Sequence, residues 1–411
     1  MLVDYLEYMN FSDKAINKIV NDKSLSGYNE KTLIYKIVMI NDYFLSIGLT
    51  KSNIDKMCSY SPTFYCLSIE YIKNKIKDFM DLGLKKSEVL NMFIMQPHIL
   101  GCSMDKIIEK RDKLIELGFS NSRVKTIFKA YPRVLTCDIE SYSKTIDNLV
   151  SLGYKKEQVY KILTNQPILF TFDINYLKNK LKSMESLGFN EKQIKKMSLT
   201  FPSILGYSLD NMKNKIDDLI TLGFKSNEVI KILVSTPHIF GYGSDNITNK
   251  IINLIDIGIE EKDVLRMIVI CSDLLSYDKE TINNKVNVLR EYFSNEEIVS
   301  VLVNYPNILC SSISNILEKL DYYINEIEIK DYIVRKPRNL MQSIELTYAR
   351  ITYLNELGIS IDYDNLSKTI FLEEKHFSKR YKIEKEELLN RYKYIERKGD
   401  NNGGVVFLEL K

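Results

Sequence analysis

Residues 222–240 read LGFKSNEVIKILVSTPHIF, and this stretch contains the two residues that set the architecture of the chain. Gly223 lies between a leucine and a phenylalanine, and Pro237 follows 14 residues later. Between them, residues such as Val229 and Ile232 are spaced as one apolar face of a helix. The stretch therefore predicts a glycine turn, an amphipathic helix, and a proline at which that helix ends.

This glycine and this proline recur along the chain with a period of 35 residues. The glycines are Gly48, Gly83, Gly118, Gly153, Gly188, Gly223 and Gly258. The prolines are Pro62, Pro97, Pro132, Pro167, Pro202 and Pro237, then, after Ser272 and a shift in register, Pro306 and Pro337. All eight prolines of the protein hold this one position, so the chain is built from internal repeats.

A second helix is predicted in each repeat, between the proline and the next glycine. Its apolar residues follow the spacing of Ile72, Ile76, Phe79 and Leu82. A serine or aspartate six residues after the proline position is expected to cap this helix. These residues are Ser68, Ser103, Asp138, Asp173, Ser208, Asp278, Ser312 and Ser343. Since one repeat cannot bury both helices alone, we predict an all-α fold, an α-solenoid (curved superhelix) of about nine repeats.

The repeat pattern also predicts how the chain is divided. Residues 1–44 are expected to form an N-terminal helical cap, residues 45–359 the repeat array, and residues 360–411 a C-terminal cap and tail. The tail DNNGGVVFLELK has lost the helical pattern, and the segment before it is rich in basic residues.

Composition excludes several classes of protein. With 45% hydrophobic and 27% charged residues, the 411-residue chain is neither collagen-like nor disordered. The six cysteines form no CxxC pair, which favours reduced structural thiols over a metal site. Neither a targeting segment nor a membrane-spanning run is evident, so we expect an intracellular, cytoplasmic monomer. The 57 basic residues nearly balance the 54 acidic ones, giving a net charge of +3.

This small net charge conceals a regular row of basic residues, here called the ladder. Thirteen residues after each proline position the chain has Lys75, Lys110, Thr145, Lys180, Lys215, Lys250, Lys285, Lys319 and Arg350. Taking 100° per residue, Lys75 lies about 60° around the helix axis from Ile72, at the edge of the apolar stripe. The ammonium groups of the ladder are therefore expected on one side of the solenoid. A second row, the first-helix row, consists of Lys161, Lys196, Lys231 and Arg266.

Both rows are candidate nucleic-acid-binding residues, because regularly spaced cations suit a polyanionic backbone. The alternative is that they are solvated boundary residues that keep the protein soluble. Asparagines precede the ladder at Asn74, Asn179, Asn214, Asn249 and Asn284, and ordinary helix surface is the favoured interpretation of that row.

The sequence shows no catalytic constellation. His98, His238 and His376 have no serine, cysteine or aspartate partner in a recognisable motif. Neither a P-loop nor metal-ligand spacing is present. We therefore expect no enzyme, no cofactor and no metal.

The repeats resemble those of the mitochondrial transcription termination factor (mTERF) family. The resemblance rests on Leu-Gly-Phe, then Val-x-x-Ile, Pro-x-Ile-Leu, a Ser or Asp, and Lys-Ile-x-x-Leu-x-x-Leu-Gly. It is clearest at residues 82–100 (LGLKKSEVLNMFIMQPHIL), 213–224 (KNKIDDLITLGF) and 222–240, and it covers about residues 45–359.

The resemblance implies a helical superhelix whose basic surface binds double-stranded DNA or, in some members, RNA. It further implies a role in transcription termination or regulation, with organellar location as a possibility beside the cytoplasm. Its basic contacts map here only onto the ladder, where lysine at most positions favours phosphate contact over guanine recognition. The rival interpretation is a protein-interaction scaffold of the HEAT or TPR kind, whose partner is another protein.

Overall fold

The computed structural model describes residues 1–394, which are helical without any strand in that range. The α-helices are α1 Leu2–Tyr8, α2 Asp13–Val20, α3 Glu30–Ser46, α4 Lys51–Tyr60, α5 Ile69–Asp81, α6 Lys86–Met95, α7 Met104–Glu116, α8 Asn121–Ala130, α9 Glu140–Ser151, α10 Lys156–Asn165, α11 Ile174–Ser186, α12 Glu191–Thr200, α13 Leu209–Thr221, α14 Ser226–Ser235, α15 Ser244–Ile255, α16 Glu261–Ile270, α17 Lys279–Arg290, α18 Asn295–Asn304, α19 Ile313–Leu320, α20 Lys330–Arg335, α21 Ile344–Glu356, α22 Glu374–Tyr381 and α23 Lys385–Arg391. The predicted all-α repeat fold is confirmed.

Two compact units divide the chain, Met1–Leu209 and the part from Asp210 onward. Within the first unit the first helices of successive repeats, α4, α6, α8, α10 and α12, pack side by side. Within the second unit α14, α16, α18 and α20 do the same. The predicted division into a cap, an array and a C-terminal segment stays a prediction, and the tail from residue 395 lies outside the described residues.

A short 3₁₀-helix begins at the proline position of each repeat, an element that the sequence did not predict. These helices are Pro62–Cys66, Pro97–Gly101, Pro132–Thr136, Pro167–Thr171, Pro202–Gly206, Pro237–Gly241, Ser272–Ser276, Pro306–Cys310 and Pro337–Met341. Proline suits this place because the first residue of a helix needs no N–H donor and its φ is already fixed. The Ile-Leu pair that follows, such as Ile99 and Leu100, is fully buried in the core.

The glycine turn ends the second helix as predicted. Gly118 has φ +105°, a left-handed conformation that other residues adopt only with strain. The N–H of Phe119 then reaches back to the carbonyl of Leu114 at 3.0 Å, which satisfies one of the last carbonyls of the helix. This bond turns the chain sharply into the next repeat.

The predicted caps of the second helices are confirmed at five positions. Each of these side chains accepts a hydrogen bond from the backbone N–H three residues ahead: Ser68, Asp173, Asp278, Ser312 and Ser343. Ser103 makes no such bond, and α9 begins two residues after Asp138 rather than directly after it.

The repeat that contains Pro337 is shortened in its first helix, since α20 has 6 residues where the other first helices have 10. A π-helical turn, Asp321–Glu326, follows α19, and Glu328 adopts a left-handed conformation with φ +62° where a repeat glycine would stand. Because a π-turn widens a helix by one residue, it displaces the glycine position but does not itself shorten the repeat. The repeat register resumes at Pro337.

Candidate nucleic-acid interface

The ladder residues lie inside the repeat stack. The side chains that are at most 9% exposed are Lys75, Thr145, Lys180, Lys215, Lys285, Lys319 and Arg350. Lys110 and Lys250 are half-buried. Six of the lysines bring their charged ends to the following repeat.

The ammonium groups of the ladder donate to backbone carbonyls at the end of the next 3₁₀-helix. The pairs are Lys75 with Cys102, Lys110 with Leu135 (2.7 Å), Lys180 with Tyr207, Lys250 with Tyr277 (2.6 Å), Lys285 with Leu309 (2.5 Å) and Lys319 with Met341 (3.0 Å). The last carbonyls of a helix have no partner within it and form its negative end. A lysine from the preceding repeat therefore satisfies them and links the two repeats.

Burial changes the acid–base behaviour of these lysines. Loss of solvent lowers the pKa of Lys180 to about 8, and it lowers the pKa values of Lys250, Lys285 and Lys319 as well. Tyrosine rings cover some of the charges, since the Lys285 Nζ lies 4.3 Å from the ring centre of Tyr277. Lys180, Lys250, Lys285 and Lys319 are thus desolvated cations with backbone partners.

Two ladder positions depart from this arrangement. The Lys215 Nζ lies 3.1 Å from an Asp218 carboxylate oxygen, and Asp218 accepts a 2.5 Å hydrogen bond from Ser244 at the start of α15. The hydroxyl of Ser244 is the first cause of the lowered pKa of Asp218. Lys215 therefore still links two repeats, through a carboxylate. Thr145 is buried and carries no charge.

Arg350, the last ladder residue, is the most deeply buried of the row at 1% exposure. Its guanidinium donates to the carbonyls of Ile370 (2.9 Å) and Leu372 (2.7 Å), and it forms an ion pair with Glu374 at 3.1 Å. The ring of Phe377 lies 4.2 Å from it. Arg350 thus holds the segment that leads into α22 against α21.

The structure places the ladder differently from the sequence-based expectation, in which its ammonium groups reached an open side of the solenoid. The ladder residues lie in the second helices as expected, but carbonyls of the next repeat bond to most of their ammonium groups. Contact between these residues and nucleic acid stays a prediction, and the geometry gives them a structural partner instead.

The first-helix row, by contrast, lies on the surface. Lys161, Lys196, Lys231 and Arg266 are all exposed, each at the same position of its helix. Lys161 in α10 and Lys196 in α12 belong to the first unit, where these two helices are neighbours. Lys231 in α14 and Arg266 in α16 are similarly adjacent in the second unit. Neighbouring helices typically lie about 8–10 Å apart, so each pair presents two closely spaced cations.

Two of the four positions one turn before the row are also basic. Lys192 precedes Lys196 and Lys262 precedes Arg266, and both are exposed, whereas Glu157 precedes Lys161. Arg266 forms an ion pair with Asp263 at 3.3 Å. Within residues 1–394, no ion pair involves Lys161, Lys196 or Lys231, which leaves these ammonium groups open to an external anion.

The mTERF family model matches residues 1–222 and 215–378, which is nearly the whole described chain. The chain belongs to the mTERF family. This is a family of nucleic-acid-binding helical-repeat proteins, without an enzymatic activity of its own. No curated protein sequence matches the chain.

A further polar row lies on the second helices of this mTERF protein. The asparagine row that precedes the ladder, Asn74, Asn179, Asn214, Asn249 and Asn284, is exposed throughout. Across residues 1–394, no cluster of three His, Cys, Asp or Glu side chains could hold a metal ion. In the same part of the chain, every helix is too short or too polar to cross a bilayer.

Proposed function

We propose that this mTERF protein binds double-stranded nucleic acid, with duplex DNA as the preferred form, through the exposed first-helix row. The ladder contributes indirectly, because it fixes the spacing of the repeats that present this row. Such binding would serve the regulation or termination of transcription.

The observation that carries the proposal is the contrast in solvent access at two repeated basic positions. Lys161 and Lys196 are exposed at equivalent places on neighbouring helices, so both can approach one phosphate backbone. Lys231 and Arg266 offer the same arrangement in the second unit. The buried ladder ammonium groups could reach a phosphate only by giving up their carbonyl partners.

The salt dependence of duplex binding tests this proposal. For B-DNA, each phosphate contact contributes about −0.9 to the slope of log K against log[salt]. Neutralising two contacts with Lys161→Gln and Lys196→Gln should therefore reduce the slope by about 1.8. Fluorescence anisotropy with a labelled DNA duplex, at several salt concentrations, measures this directly.

A matched control variant is available on α11 of the same unit. Lys178 and Lys182 are both exposed on α11, which is the second helix of its repeat. The double variant Lys178→Gln with Lys182→Gln therefore removes the same total charge from outside the first-helix row. An equal loss of slope in both double variants would refute the assignment to the first-helix row. Duplex RNA and single-stranded DNA as competitors decide which nucleic acid is preferred.

One observation favours the rival function, a protein-interaction scaffold. Met80, Ile115 and Val150 hold equivalent positions near the ends of α5, α7 and α9, and each is 37–43% exposed. A row of exposed apolar side chains is typical of protein contact surfaces. Absence of duplex and RNA binding at low salt in the wild-type chain would favour this function.

A further inference from the structure

Cys271 and Cys310 face each other across two consecutive repeats of the second unit. Their Sγ atoms lie 2.8 Å apart, although 39 residues separate them in the chain. Both are free thiols. Cys271 is 7% exposed, whereas Cys310 is half-buried and accessible to a small solute.

The repeat register explains why these two residues meet. Cys271 directly precedes the proline position of its repeat, and Cys310 is the last residue of the 3₁₀-helix in the next repeat. Gln166 and Gly206 hold the same two positions in the first unit, where a Cβ built on Gly206 would lie 3.4 Å from the Gln166 amide nitrogen. These two repeat positions therefore also approach each other at Gln166 and Gly206, and one pair of repeats places a thiol on each side.

The surroundings make the two thiols unequal. A hydrogen bond from Cys271 lowers the pKa of Cys310, and the charge of Lys285 acts in the same direction. Lys285 is held beside it by its 2.5 Å bond to the carbonyl of Leu309. The hydrogen bond with Cys310, together with burial, raises the pKa of Cys271. Thiolates rather than thiols are the nucleophiles in cysteine chemistry, so Cys310 is the residue that reacts first.

We propose that Cys271 and Cys310 form a redox-sensitive pair, which a peroxide converts into a disulfide that joins two consecutive repeats. The Cys310 thiolate attacks one oxygen of hydrogen peroxide, breaks the O–O bond, and becomes a sulfenic acid while hydroxide leaves. Cys271 then attacks that sulfur, forms the S–S bond, and the sulfenic oxygen leaves as water with the Cys271 proton. Overall, two thiols are oxidised and one peroxide is reduced to two waters.

The proposal is tested on the full chain with hydrogen peroxide, followed by blocking of the remaining thiols and peptide mapping by mass spectrometry. The expected product has lost two of its six thiols and contains one cross-link between the peptides of Cys271 and Cys310, which dithiothreitol reverses. In Cys271→Ser, Cys310 should accumulate as a sulfenic acid that dimedone traps. In Cys310→Ser, Cys271 should stay reduced.

Cys66 serves as the internal control, because it holds the same repeat position as Cys310 but faces the Ser24 backbone carbonyl at 3.5 Å. Peroxide doses that cross-link the pair should leave Cys66 unmodified. Oxidation of Cys66 at the same rate as Cys310, or cross-links distributed among all cysteines, would overturn the proposal. The wild-type mapping does not depend on whether either serine variant folds.

Discussion

The ladder and the first-helix row carry the same residue types at the same 35-residue period, yet the fold uses them in opposite ways. Lys285 of the ladder is 6% exposed and bonds to a carbonyl of the next repeat, whereas Lys231 of the first-helix row is exposed and has no ion pair within residues 1–394. Basic residues at one repeat position therefore share a similar degree of solvent exposure, and that exposure decides whether their role is structural or in binding.

The largest effect that distinguishes the rows is expected at Arg350. Arg350→Met removes the donor for two carbonyls, and the exposed Glu374 loses its cation at little cost, so the free energy of unfolding should fall by about 2–5 kcal/mol. Urea unfolding followed by circular dichroism measures the change.

Arg266→Met provides the matched control for this prediction, because it makes the same substitution in the exposed first-helix row. Its side chain is 56% exposed and its ion pair is a surface contact, so stability should change by no more than about 0.5 kcal/mol. Similar losses of stability in the two variants would show that burial does not separate the rows.

A smaller effect is expected at Lys285 and Lys231, which lie in the same unit. Lys285→Met leaves the carbonyl of Leu309 without its donor and should reduce the free energy of unfolding by about 1–3 kcal/mol. The salt slope of duplex binding should stay unchanged. Lys231→Met should leave the free energy of unfolding unchanged and should reduce the salt slope of duplex binding by about 0.9.

These two variants can separate the proposed roles even if one of them behaves unexpectedly. A loss of salt slope in a folded Lys285→Met protein would assign the ladder to nucleic-acid contact, as the sequence suggested. A loss of stability in Lys231→Met would show that the first-helix row is also structural.

Most of the fold could be predicted because glycine and proline act locally. The left-handed turn at Gly118 and the helix end before Pro237 follow from the backbone preferences of those residues alone. The 3₁₀-helices were missed, because a proline after a helix is equally compatible with an irregular turn. The π-turn near residue 321 was missed because neither a glycine nor a proline marks it in the sequence.

The site was harder to predict because burial at the edge of a stripe depends on the neighbouring repeat. The sequence places Lys75 beside Ile72 and Ile76, but it does not reveal the carbonyl of Cys102 that covers the charge. The sequence contained one signal, because the uncharged Thr145 interrupts a row that would otherwise consist of cations alone. Lys161 gave the opposite signal, because polar residues occupy the positions one turn before and after it.

The smallest expected effect is a dependence of folding stability on pH, which we predict for the ladder residue Lys180. The pKa of Lys180 is about 8, below the ordinary lysine value of 10.5, because burial penalises its charged form. In the window between these values the unfolded chain binds a proton that the folded chain does not. Stability contributed by this residue therefore rises as pH increases from 8 to 10.5.

The measurement compares wild type with Lys180→Met in urea unfolding at several pH values from 7.5 to 10. The stability of wild type relative to the variant should increase across this range, by about 1–2 kcal/mol. Lys178→Met, at an exposed position of the same helix, corrects for the loss of one charge. If relative stability instead falls with pH, the charged form of Lys180 stabilises the fold, and its bond to the carbonyl of Tyr207 outweighs the cost of burial.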